Sequence, residues 1–193
     1  MIPGDSLSSS PVYSPFLYGD SLSVSAIRDY EMGGVALNDP SEGLNIKLWR
    51  LDVSGTHIVI SENGANPQNI ITGSDITEAS FAFDQNMRPV IVYVQNGQAK
   101  LYWYDPTIPG VTTTTLASTV KSPRVAMDDK RTQTTLLGQN DVILAYIRSN
   151  NLYFRMQRER YLTEHLLQST VNGLLVNLGM NTANRLQFEL KPA

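Results

Sequence analysis

The strongest constraint on this chain is a strand–turn–strand pattern that returns roughly every 45 residues. In one copy, Phe81-Ala82-Phe83 stops at the polar stretch Asp84-Gln85-Asn86. Pro89 then opens Val90-Ile91-Val92-Tyr93-Val94, and Asn96-Gly97 turns the chain into Lys100-Leu101-Tyr102-Trp103-Tyr104, which ends at Asp105-Pro106. Asn-Gly is a strong hairpin signal because both residues accept positive φ at low cost. β-Branched and aromatic residues fill the flanking runs, as strands prefer.

A second copy repeats the grammar. Val125-Ala126-Met127 ends in Asp128-Asp129-Lys130, and Val142-Ile143-Leu144-Ala145-Tyr146-Ile147 turns at Ser149-Asn150-Asn151 into Leu152-Tyr153-Phe154-Arg155-Met156. Ala82 then aligns with Ala126, Tyr93 with Tyr146 and Leu101 with Leu152, an insertion near residues 132–140 absorbing the difference. An earlier, looser copy aligns Ala36 with Ala82 and runs through Ile46–Leu51 and His57–Ile60. The expected fold is all-β, with antiparallel strand repeats that are propeller-blade-like or packed as a β-sandwich. Units fall at roughly 33–75, 76–120 and 121–170, followed by a C-terminal hairpin at 171–193, together one all-β domain over 26–193. Residues 161–170 fit a short helix or another strand, and Leu186, Phe188 and Leu190 alternate as a strand should. Three units fall short of the four to eight blades of a closed ring, so uncovered faces are expected to be covered by other copies or neighbours.

Composition narrows the function classes. Charged residues make up 17% of the 193, the net charge is −3, and there is no cysteine. The one dense basic cluster, Arg155, Arg158 and Arg160, splits across both faces of a strand, so it makes no phosphate-tracking stripe and nucleic acid is not an expected partner. The longest apolar runs are far too short for a membrane span, and the first ten residues lack the basic and apolar parts of a secretory signal. Residues 1–25 carry Pro3, Pro11 and Pro15 yet are rich in apolar side chains. This predicts an extended arm that contacts another subunit through Tyr13, Phe16, Leu17 and Tyr18.

Catalytic chemistry finds little support. Gly4-Asp5-Ser6-Leu7 and Gly19-Asp20-Ser21-Leu22 both spell the opening motif of a serine lipase family, but a serine nucleophile needs a positioned base. The two histidines, His57 and His165, follow Ser54 and Leu162 by three residues rather than an aspartate. Two histidines and no cysteine build no imidazole or thiolate metal cluster, and adjacent Asp128 and Asp129 on a strand point to opposite faces. Their expected job is turn formation, with Asp84 in the matching place. No catalytic residue, metal site or cofactor is expected. Tyr102, Trp103 and Tyr104 form an aromatic run whose exposed side would suit a partner protein or a glycan.

Several segments resemble small virion proteins of tailed bacteriophages. They are Gly19–Ser23, Ala26–Glu31, Gly33–Leu44, Ala82–Met87, Trp103–Pro106, Pro123-Arg124, Asp128–Lys130, Phe154–Arg158, Gly179–Asn181 and Asn184–Phe188. The resemblance implies a structural particle protein of the tail or neck, with no catalytic residues to carry over. It also implies a virion location, with assembly in the bacterial host cytoplasm. The expected function is therefore a tail-apparatus subunit that binds copies of itself and neighbouring virion proteins. The alternative expectation is a carbohydrate- or receptor-binding module on the tail, directed at a host surface glycan.

Overall fold

The computed structural model describes residues 30–39, 43–62, 65–84, 86, 88–128, 141–180 and 186–192, with side chains from Trp49 onward except at 128 and 180. The expected arm at 1–25, with Tyr13, Phe16, Leu17 and Tyr18, and the motif serines Ser6 and Ser21 lie outside them, as do Asp129 and the insertion at 132–140. The fold is all-β. β1 (Tyr30–Asp39), β2 (Gly43–Val53), β3 (His57–Glu62) and β4 (Ala65–Thr72) form the first antiparallel sheet, in chain order. β5 (Ile76–Phe83), β6 (Pro89–Gln95), β7 (Gln98–Trp103) and β8 (Thr112–Ser118) form the second. β9 (Lys121–Asp128), β10 (Asp141–Arg148), β11 (Asn151–Met156) and β12 (His165–Gln168) form the third. The fourth is a hairpin of β13 (Leu174–Met180) and β14 (Leu186–Lys191).

Local chemistry makes these hairpins. Asn96 and Gly97 both take positive φ, 51° and 70°, closing β6 onto β7 with Gln95 opposite Gln98. Ser149 and Asn150 do the same at 50° and 59°, with Arg148 opposite Asn151. Counted from these turns, Tyr93 and Tyr146 are equivalent, and so are Ala82 and Ala126, which pair with Val90 and Ile143. Two of the expected alignments shift. Leu101 corresponds to Phe154, and Leu152 to Ala99, a slip of two that keeps the same face and so escapes a period-two pattern. In the first sheet Gly33, opposite Trp49, holds the place expected of Ala36. Residues 161–170 contain no helix; a 3₁₀ turn at Gln157–Glu159 leads to the short edge strand β12.

The sheets lie in a row, each sharing a core with the next. Leu51, Ile58, Ile60 and Ile71 of the first pack against Phe81, Ile91 and Tyr93 of the second. The other face of the second, with Val90, Val92, Val94, Leu101 and Trp103, packs against Val125, Val142, Leu144 and Tyr146 of the third. The third's remaining face, Ala126, Ala145, Ile147 and Leu152, meets Leu175 and Leu178 of the hairpin. Hence β6 and β10 are apolar at consecutive positions, since both of their faces are covered. Every extensive approach between sheets involves β5, β9 or β13, the leading strand of a sheet, so the sheets fan out from their first strands like blades.

The connections repeat as well. Ser74-Asp75-Ile76, Ser118-Thr119-Val120 and Ser169-Thr170-Val171 each enter a new sheet. In each, the middle residue has positive φ (52°, 62° and 56°) and the following aliphatic side chain is buried. The turn aims that side chain into the cleft between the sheet just left and the one about to begin. Gly73 N–H donates to Thr56 O, and Val171 N–H to Asn150 O, tying these connections to the preceding hairpin turn. At the joint of the second and third sheets, Val125 N–H donates to the buried Ser80 Oγ, and Arg124 Nη1 lies 3.8 Å from Glu78 Oε2. Truncating a buried entry residue opens a cavity between two sheets. Ile76→Ala should cost about 2–5 kcal/mol, read as a lowered urea midpoint. An unchanged midpoint would show that the entry side chain does not join the sheets.

Candidate interaction surface

β6 begins and β7 ends at the edge of the second sheet opposite the Asn96-Gly97 turn, and this edge collects polar and aromatic groups. Asp84, buried just after β5, accepts the N–H groups of Asn86 and Arg88 on Oδ1 and pairs with Arg88 Nε at 2.8 Å through Oδ2. It thus forms the turn into β6, the role expected of its position. The Arg88 guanidinium so held lies 5.2 Å from the centre of the Tyr104 ring, and Tyr104 meets Tyr102 edge-on at 6.2 Å. Burial, then the hydrogen bond and charge of Tyr104, push the Tyr102 hydroxyl up to about 12, so it is protonated at neutral pH.

Trp103 requires a correction. It points to the other face of β7, is 1% exposed, donates Nε1–H to Thr114 Oγ1 at 3.0 Å and packs edge-on against buried Tyr161 at 5.0 Å. Strand alternation places it in the core shared by the second and third sheets, so it is no surface contact. Tyr102 and Tyr104 remain half-buried at the rim. His57 is exposed at the start of β3, bonded to Thr56; His165 binds Glu159 and stacks on Phe154 at 4.9 Å. No group of three or more acidic or histidine side chains able to hold a metal ion occurs among the described residues.

Two further buried aspartates lie at the same edge, each bound to an arginine. Asp105 accepts from the Thr107 N–H and hydroxyl on Oδ1, and Arg160 Nε and Nη2 reach its Oδ2 at 2.9 and 2.7 Å. This pair joins the loop after β7 to the turn after β11, across the second and third sheets. Asp141 accepts the Arg158 N–H and lies 2.9 Å from Arg158 Nε. Burial, then the charges of Asp141 and Asp84, raise the pKa of buried Tyr161. The three carboxylates are 1–2% exposed, while their arginine side chains are 36%, 54% and 44% exposed at Arg88, Arg158 and Arg160. Charge is thus layered, acid inside and guanidinium outside.

Sequence reasoning missed this layering. It treated Arg155, Arg158 and Arg160 as residues of one strand, whereas the strand stops at Met156 and a 3₁₀ turn re-aims the last two. Arg155 instead turns inward, donating to Tyr146 Oη and Tyr161 O. Glu164 accepts from Tyr146 Oη and Arg148 and completes that network. The only available signal was Asp105-Pro106 and Asp141 standing directly beside strand ends.

The chain matches no family model, no curated protein and no solved structure in the comparisons made.

Burial opposes ionisation of Asp105, but the Thr107 and Arg160 hydrogen bonds and the Arg160 charge outweigh it and hold the carboxyl below its ordinary range. A depressed folded value stabilises the fold above the unfolded value, near ~3.9, and that contribution fades as the pH falls through the folded one. Glu78, raised by burial against the pull of Arg124 and Ser122, works in the opposite direction, so the comparison must be with a variant. Asp105→Asn should therefore lower the urea midpoint at pH 7 and converge on the wild type as the solution is acidified. A gap of constant size between neutral and acid pH would contradict this.

Proposed function

We propose that this protein is a structural subunit of a larger particle, of the tailed-phage kind its sequence resembles, assembling with copies of itself and with neighbouring virion proteins. The observation that carries this reading is the incomplete fourth sheet. The first three sheets have four strands each and the last has two. β14 therefore has an unpaired edge among the described residues, beside a row of Leu186, Phe188 and Leu190. Phe188 pairs with buried Leu178 on the face that the hairpin turns to the third sheet, yet it is 39% exposed, and among the described residues no third strand lies beyond it. An unpaired strand edge with apolar neighbours is a template for a strand from another chain.

The opposite side of this hairpin strand carries Gln187, Glu189 and Lys191, so it is already suited to water. Assembly would thus extend the sheet sideways rather than cap it. A second reading, a glycan- or receptor-binding module, rests on the half-buried Tyr102–Tyr104 pair, and Arg88 over the Tyr104 ring counts against it. Tyr102→Ala with Tyr104→Ala would abolish host adsorption of intact particles on that reading and leave it unchanged on the first.

The full chain should elute at the mass of an oligomer by light scattering, and Phe188→Asp should shift it toward the monomer without changing the far-ultraviolet circular dichroism spectrum. A wild-type chain that stays monomeric at high concentration would overturn the proposal.

A further inference from the structure

We infer that the arginine-bearing edge of the second and third sheets is a docking surface for a partner protein that presents carboxylates beside aliphatic side chains. The inference does not depend on how the fourth sheet is completed.

Arg88, Arg158 and Arg160 are linked through short stretches of structure. Arg88 stacks on Tyr104, the next residue Asp105 holds Arg160, and Arg158 lies two residues before Arg160 in the same turn. Each guanidinium is held on its inner side by a buried aspartate, Arg158 also donating Nη2–H to Met156 Sδ, and all three arginine side chains keep partial exposure. Fixing matters because a flexible arginine loses rotamer freedom when it binds, and these have already lost much of it in folding. The acids nearby are engaged: Glu159 with His165, and Glu164 with Arg148, Arg155 and Tyr146. The surface therefore shows cations outward although every one of the three has a compensating charge beneath it.

Three exposed aliphatic residues lie in the loops that carry Asp105 and Arg160. Ile108 N–H donates to Asp105 O, Val111 follows shortly in the same loop, and Leu162 N–H donates to Glu159 O two residues past Arg160. Leu162 is 71% exposed. Arginine with exposed apolar side chains is the composition of a protein interface. A sugar ligand would call for an open aromatic face, and the Tyr104 ring is faced by Arg88 instead. Acidic protein is thus the occupant the chemistry fits.

The test uses the full chain and three fluorescently labelled peptides: alternating Glu and Leu, alternating Lys and Leu, and alternating Glu and Ser. The Glu–Leu peptide should bind with an affinity that falls as salt is added, and the other two should bind much more weakly. Asp105→Asn with Arg160→Gln removes a cation and its buried partner together, leaving no orphaned charge, and should weaken binding about tenfold. Leu162→Ser alters one exposed side chain and should also weaken it about tenfold, providing a readout even if the double variant folds poorly. No binding of the Glu–Leu peptide, or wild-type affinity in both variants, overturns the inference. So does binding of dextran sulfate that matches the peptide and ignores Leu162→Ser, which would identify a general polyanion surface. A Phe188→Asp monomer should bind the Glu–Leu peptide as the wild type does, so failure here and failure of the assembly reading are separable.

Discussion

The fold depends on the burial of both faces of two strands. β6 and β10 are the second strands of the middle sheets, and each carries aliphatic or aromatic side chains toward two different cores. A single sheet with two apolar faces cannot stand alone in water, so neither middle sheet is stable without the sheet on each side. At the two ends of the row, some outward positions are polar. The first sheet faces outward with the Arg50–Asp52 pair, and the hairpin with Gln187 and Glu189. Among the described residues, β14 leaves an unpaired edge.

Polar groups tie the row together where apolar packing thins. At the joint of the second and third sheets, Ser80 and Glu78 reach across to Val125 and Arg124. Farther out, Trp103 and Tyr161 meet in the shared core, and the Asp105–Arg160 pair closes the gap above them. Burying a carboxylate is costly unless it is paired and hydrogen-bonded. Asp84, Asp105 and Asp141 meet that condition with backbone amides or a threonine on one oxygen and a guanidinium at the other. One arrangement thus closes a turn, joins two sheets and orients cations at the surface.

Much of the fold was legible in the residues themselves. Asn96-Gly97 and Ser149-Asn150 take the left-handed conformations that their side chains tolerate, and the central hairpins follow. The fourth strands were harder to see. β4 contains Asn66, Pro67, Gln68 and Asn69, and β8 begins with four threonines. Both are edge strands with much of their length in solvent, so they need no apolar alternation and tolerate a proline. The connection motif of Ser, a left-handed residue and Ile or Val was written in the sequence three times. Asp75, Thr119 and Thr170 differ enough to hide it, and only their shared backbone conformation reveals it.

Taken by itself, the sequence determined the antiparallel hairpins, their spacing and the all-β class, because turns and strand pairing join residues close along the chain. Tertiary structure alone decided which face of each sheet meets which neighbour. In β6 and β10 both faces are apolar, so no pattern distinguishes them, and Trp103 went inside while Tyr102 and Tyr104 stayed at the rim. It alone also decided that aspartates and arginines as far apart as Asp105 and Arg160 would meet at one edge. That meeting follows from how whole sheets fan from their first strands, a geometry that no short stretch of residues contains.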